Sequence, residues 1–109
     1  MAHPLETIRK HSTFIMIRQK GKFIHGKPFN VQCLENQYLN NSIFVGFTAT
    51  KKLGTAVKRN KAKRIMRELA RKVIAKYGKI NSYYVLIAKP EIFEISFRSQ
   101  EIELKELIS

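Results

Sequence analysis

The sequence predicts an α+β fold: one domain, with about four strands in a single sheet, a long central helix and shorter helices near both ends. Three observations give this prediction. Residues 62–77 repeat apolar side chains at helical spacing, residues 29–33 alternate apolar and polar side chains, and residues 83–88 form a short apolar run. At 109 residues the chain is long enough to build one hydrophobic core.

The N-terminal part predicts a short helix after an irregular start. Residues 1–7 have no periodic pattern, and we expect them to be a poorly ordered extension of the single domain. Residues 12–20 predict a helix, for which Ser12 supplies a cap and Gly21 a stop.

Three strands are predicted next. Residues 22–25 give a brief strand, and residues 29–33 give a stronger one in which Cys33 is expected to be a buried thiol. Residues 40–42 are turn-forming, and the apolar run 43–47 that follows predicts a strand at the centre of the sheet.

The long helix is the clearest element of the sequence. From Ala62 to Tyr77 the apolar residues recur every three or four positions and fill one stripe, and Gly78 supplies the stop. The strand 83–88 follows, and a last amphipathic helix opens near Ser99. The predicted order is therefore helix, three strands, long helix, strand, helix.

Basic residues are concentrated in one quarter of the chain. There are 21 Lys and Arg against 8 acids, all of them Glu, which gives a net charge of +13. Twelve of the basic residues lie between residues 51 and 79, where Glu68 is the only acid. Because a polyanion would relieve this self-repulsion, nucleic acid is the leading partner and an anionic membrane surface is the second.

Several function classes are excluded by what the sequence lacks. The single cysteine excludes an internal disulfide and a cysteine-based zinc site, and the three histidines show no metal spacing. With no Asp and five of its Glu in the last nineteen residues, the chain offers no carboxylate cluster and no nucleophile–base pair. We therefore expect no catalytic residue, no metal ligand and no small-molecule substrate. The chain lacks a signal sequence and an apolar run long enough to span a membrane, which predicts a cytoplasmic protein.

One segment carries a specific motif. Residues 50–68 read TKKLGTAVKRNKAKRIMRE. This segment resembles the basic motif of the ribonuclease P protein family, in which a Ser-Lys-Lys-apolar-Gly-Asn-Ala-Val strand exit leads into Arg-Asn-Arg-x-Lys-Arg. Thr50, Thr55 and Lys61 are mild departures, and Lys61 keeps the charge but loses the planar fork of an arginine. Upstream and downstream matches extend the resemblance to residues 8–109.

The resemblance implies a function in RNA processing. In that family an RNA subunit with bound Mg²⁺ hydrolyses precursor tRNA and removes its 5′ leader, while the protein binds the catalytic RNA and the leader and carries no active site of its own. The family fold also implies a left-handed crossover around the long helix. The residues assigned here to the catalytic RNA are Lys51, Lys52, Arg59, Asn60, Lys61, Lys63, Arg64 and Arg67.

A second surface is assigned to the single-stranded leader. The resemblance implies a groove between the first helix and the sheet, in which aromatic platforms and cations hold a single strand. The residues assigned to it are Phe14, Arg18, Lys22, Phe29 and Val31. Arg18 stands where the family often has a second aromatic, so we expect a guanidinium stack or a phosphate contact in place of a base-stacking contact there.

Alternative interpretations remain open at this point. Composition alone also permits a ribosomal or general structured-RNA-binding protein, and less well a DNA-binding helix-turn-helix or a membrane-associated basic helix. For the basic helix, the simpler interpretation is a solubilising surface. For Phe14 and Phe29, it is packing in the core.

Overall fold

One mixed sheet of five strands organises residues 3–109, which are the residues that the computed structural model describes. The elements are β1 (Leu5–Thr7), α1 (His11–Lys20), β2 (Lys22–Ile24), β3 (Phe29–Glu35), β4 (Ile43–Thr48), α2 (Ala56–Leu69), α3 (Ala75–Tyr77), β5 (Ser82–Ala88) and α4 (Phe97–Ile108). A π-helical turn, Ala70–Ile74, joins α2 to α3, and residues 56–77 are called the long helix below. Short 3-10 turns at Lys51–Leu53 and Pro90–Phe93 follow β4 and β5.

The sheet has the strand order β1-β4-β5-β3-β2. β4 is parallel to both β1 and β5, whereas β3 is antiparallel to both β5 and β2. The α+β prediction is confirmed, with five strands instead of four. Because the long helix connects the parallel strands β4 and β5, the chain contains the crossover that was expected, and its left hand stays a prediction.

Helices cover both faces of the sheet and create two apolar cores. The larger core joins the long helix and α4 to one face, through side chains such as Met66, Leu86 and Leu104. The smaller core packs α1 on the other face, where Ile17 meets Val85. The molecule therefore has three layers, and a strand residue belongs to one core or the other according to which face its side chain occupies.

The long helix begins six residues earlier than its apolar stripe predicted. Its first residue is Ala56, and the preceding Thr55 caps it by accepting a hydrogen bond at Oγ1 from the backbone N–H of Lys58 at 3.3 Å. The first turns carry no core contact, and Val57 is exposed. A capped, solvent-exposed start has no apolar periodicity, which is why the stripe alone placed the start at Ala62.

Two further predictions at the N-terminus need correction. Residues 5–7 form strand β1 beside β4 instead of belonging to a poorly ordered extension, while Met1 and Ala2 lie outside the described residues. Ser12 lies inside α1 and does not cap it, because the N-cap is Lys10, whose side chain makes no capping hydrogen bond. Gly21 does end this helix, and its backbone N–H donates to the carbonyl of Ile17 at 2.8 Å.

Candidate nucleic-acid interface

The segment between β4 and the long helix projects two lysines from a fixed turn. Leu53 is buried in the larger core and anchors the 3-10 turn, so that Lys51 and Lys52 face solvent. Gly54 then adopts φ 119° and ψ −139°, a conformation that side-chain-bearing residues rarely adopt. This glycine permits the sharp change of direction that sets the two lysines beside the start of the helix.

The eight residues predicted to bind the catalytic RNA form one accessible surface, called the basic surface below. Six of them are exposed, and only Arg59 and Lys63 are half-buried. Within residues 3–109, the ion pairs are Arg71 with Glu68 and Lys79 with Glu35, so none of the eight is paired with a carboxylate. The cationic charge of this surface is therefore left for an external partner.

A groove runs between one side of the basic surface and the edge of the sheet. Its volume is about 600 Å³, and its walls include Arg64 and Arg67 from α2, Leu5 from β1 and Phe47 from β4. The guanidinium of Arg67 lies over the ring of Phe47, 5.8 Å from its centroid. Such a stack holds the arginine in place while leaving its N–H donors free for phosphate oxygens.

The other side of the basic surface lies beside the turn that follows β5. The Lys61 ammonium lies 5.9 Å from the ring centroid of Phe93. Arg59 carries a buried Nε that has no hydrogen-bond acceptor among the described protein residues. Arg59 as a whole is half-buried, so part of this residue remains accessible on this side of the basic surface.

The second predicted surface is present only in part. Phe14 is half-buried on the α1 face of the sheet, where its ring lies directly over Gly46: a Cβ at Gly46 would be 2.5 Å from Phe14 Cε1. Phe14 is therefore also a core residue, as the simpler interpretation held. Arg18 follows one helical turn later on the same side of α1 and is exposed. The side of α1 that carries these two residues, together with the adjoining α1 face of the sheet, is the place of the predicted groove and is called the α1 groove below.

Three of the predicted groove residues lie on the opposite face of the sheet, and their assignment is wrong. Phe29 and Val31 are both 0% exposed and belong to the larger core, beneath the long helix and α4. Lys22 is the register partner of Cys33, which packs against that same core. Cys33 is half-buried instead of buried, and desolvation raises the pKa of its thiol while the charge of Lys22 opposes that shift. These residues are excluded from the α1 groove because alternate residues of a strand point to opposite faces.

The residues that do share the α1 face were missed. On β3 these are Asn30 and Gln32, and on β2 the register partner of Gln32 is Phe23. Phe23 is 45% exposed and contacts His25 edge to face, with the ring centroids 4.7 Å apart. The signal was available in the sequence: Phe29 and Val31 alternate with Asn30 and Gln32, so assigning the first pair to one core places the second pair on the other face.

Other candidate sites do not form among residues 3–109. His3, His11 and His25 are all exposed, as predicted. No three His, Cys, Asp or Glu side chains of the described chain come together as a metal site. No helix in this part of the chain is long and apolar enough to cross a membrane.

Fold and surface together define a class of protein, namely a small basic α+β domain with an uncompensated cationic surface suited to a folded polyanion. The family model described as ribonuclease P matches residues 3–109. This chain belongs to the ribonuclease P protein family.

Individual relatives agree with the family match. The ribonuclease P protein component of Alkaliphilus metalliredigens is 34% identical over 103 residues, which cover 93% of this chain and 88% of that protein. The component from Caulobacter vibrioides is 38% identical over 84 residues, and the match spans 77% of this chain but only 56% of that relative. Among solved structures, the RNase P protein from Thermotoga maritima is 26% identical, with a TM-score of 0.80 and 94% coverage of both chains.

Proposed function

We propose that this chain is the protein subunit of a ribonuclease P particle, which removes the 5′ leader from precursor tRNA. In this proposal the RNA subunit performs the hydrolysis with Mg²⁺ that it holds itself, and the protein contributes binding. The observation that carries the proposal is the basic surface, whose eight residues lie in the family motif without a carboxylate partner among the described residues.

The basic surface is assigned to the catalytic RNA. Arg64 and Arg67 are three residues apart and project from a rigid helix, so their forks form a comb that matches phosphate oxygens. An A-form RNA helix hides its major-groove base edges, and such a comb therefore reads backbone and shape more than sequence. Arg59 is half-buried, and the accessible part of this residue is assigned to the same RNA.

The single-stranded leader is assigned to the α1 groove. Phe14 and Arg18 supply an aromatic edge and a guanidinium along one side of it, which is the composition that a single strand requires. The floor comes from the α1 face of the sheet, including Asn30 and Ile87, which are register partners in β3 and β5.

Reconstitution tests the proposal against the alternative of a general RNA-binding protein. Purified protein is added to bacterial ribonuclease P RNA at low Mg²⁺, and cleavage of precursor tRNA is followed. Restored cleavage at the mature 5′ end is the expected result. Unchanged cleavage, together with binding no tighter than to arbitrary structured RNA, would assign the chain to the general class.

Salt dependence gives a quantitative prediction for the basic surface. If about six phosphates are neutralised, a plot of log affinity against log salt concentration has a slope of about −4 to −5, because bound counterions are released. The slope is measured by titrating labelled catalytic RNA with protein at several salt concentrations. A slope near −1 would mean that most of the exposed cations make no phosphate contact.

Phe14→Ala is expected to weaken binding of precursor tRNA to the holoenzyme about tenfold and to leave mature tRNA unchanged, because one base or sugar contact to the leader is lost. Phe44→Ala is the matched control, because it also removes a phenylalanine ring that packs against the smaller core. Phe44 lies next to Thr13, on the side of α1 that faces away from the α1 groove. Equal losses for precursor and mature tRNA, or equal losses in both variants, would remove the leader assignment.

A further inference from the structure

Phe23 is exposed in a way that core packing does not explain. Its side chain is 45% exposed on the edge strand β2 and belongs to neither apolar core. Its aromatic neighbour is His25, edge to face at 4.7 Å, and His25 is itself exposed. The two rings form a small aromatic surface open to solvent.

The strand register relates this aromatic surface to the α1 groove. Phe23 pairs with Gln32, Gln32 pairs with Val85, and Val85 pairs with Gly46. Directly paired residues lie on the same face of a sheet, and the ring of Phe14 covers Gly46 on that face. Phe23 and Phe14 therefore stand on one side of the sheet, at opposite ends of a row that crosses four strands.

The length of that row sets the spacing of two contacts. Three strand-to-strand steps of roughly 4.8 Å place the two aromatic positions about 14 Å apart. At the stacked spacing of about 3.4 Å per nucleotide this is roughly four nucleotides, and fewer if the strand is extended. The middle of the row is covered, because Val85 is buried beneath Ile17 of α1 and Gln32 is only 8% exposed, so a single strand would run beside α1 and not along the row itself. Such a strand would meet Phe14 and Phe23 about two to four nucleotides apart.

We propose that Phe23, supported by His25, is a second base-stacking platform for single-stranded RNA at the outer end of the α1 groove. The inference rests on the proposed function, since it adds a second position to the same groove. An aromatic ring stacks on any base, so the affinity that this platform adds would depend on whether the strand is long enough to reach it and little on the sequence of the strand. Two aromatic positions about two to four nucleotides apart would also fix the path of the strand over the protein.

The test uses the reconstituted holoenzyme and precursor tRNAs whose leaders increase one nucleotide at a time. With wild-type protein, affinity is expected to rise with leader length and then level off. Phe23→Ala should lower affinity about tenfold for long leaders and have no effect on leaders too short to reach β2. Phe23→Tyr keeps the ring and should retain affinity, whereas Phe23→Leu keeps apolar area without the ring and should not.

An abasic leader identifies the contact. One base is removed at each leader position in turn, and the loss of affinity is compared in wild-type and Phe23→Ala holoenzyme. At one position, two to four nucleotides from the position that is sensitive to Phe14→Ala, removal should weaken wild-type binding and leave the variant unaffected. Tyr77→Ala, which removes a ring that is 42% exposed on the long helix, is the control and should leave leader dependence intact.

The outcomes separate this inference from the proposed function. If wild-type affinity does not depend on leader length, the leader assignment itself is wrong. If wild-type affinity depends on length and Phe23→Ala behaves like wild type, the groove stands and the second platform is overturned. The same conclusion follows if Phe23→Leu and Phe23→Tyr bind equally well.

Discussion

Replacing Arg64 and Arg67 together by Gln is expected to weaken binding of the catalytic RNA about 100-fold. Each arginine loses a charge-assisted contact to phosphate worth about 1.5 kcal/mol, the low end of the range because the site is exposed, and two such losses amount to roughly 100-fold. Removing two phosphate contacts should also make the slope of log affinity against log salt shallower by about 1.5. Both quantities come from titrations of the RNA with the variant at several salt concentrations.

The control is a second double variant that has the same net charge as the Arg64 and Arg67 variant. Arg98→Gln with Lys105→Gln removes the same two charges from α4, which lies outside the basic surface. If position matters, this pair changes affinity and slope little. Equal effects of the two pairs would show that the RNA responds to the overall charge of +13 and not to the comb on the long helix.

Phe29→Ala is expected to lower the free energy of unfolding by about 3–5 kcal/mol, because it empties a fully buried ring site in the larger core. A domain of this size is typically stable by only about 5–15 kcal/mol, so the variant is expected to be close to unfolding. Denaturant unfolding followed by circular dichroism measures the loss. Phe29→Leu should cost less and remain folded, which allows its RNA binding to be measured.

Phe23→Ala is the matched control for that measurement. It deletes the same side chain from a site that is 45% exposed, and we expect a cost of about 1 kcal/mol or less. Together, the two variants are expected to separate the faces of the sheet, with Phe29→Ala lowering stability and Phe23→Ala lowering RNA binding. A Phe29→Ala protein of wild-type stability with a selective loss of precursor binding would restore the original groove assignment of Phe29.

The basic surface was predicted well because its geometry is local. Arg64 and Arg67 project from one helix, so their relative positions follow from the helical repeat and need no knowledge of the remaining chain. Gly54 and the Thr55 cap are likewise local signals for where that helix begins. The motif therefore specified the residues of the surface, six of which are exposed in the structure.

The α1 groove was predicted less well because it depends on which face of the sheet each strand residue occupies. The alternation in β3 shows that Phe29 and Val31 share a face, but it does not say which helices cover that face. Helices pack on both faces of the sheet, and the larger helical layer, formed by the long helix and α4, packs against the apolar face of β3. Asn30 and Gln32 are left on the α1 face, opposite to the prediction.

By itself, the sequence determined the fold class, the long helix with its stop at Gly78, and the concentration of positive charge along it. Each of these follows from local periodicity, capping or composition. Only the tertiary structure decided that residues 5–7 add a fifth strand, that Phe23 shares a face with Phe14, and that Lys22 does not. Such facts depend on pairing between distant strands, and shifting a strand by one residue reverses the face of every side chain on it.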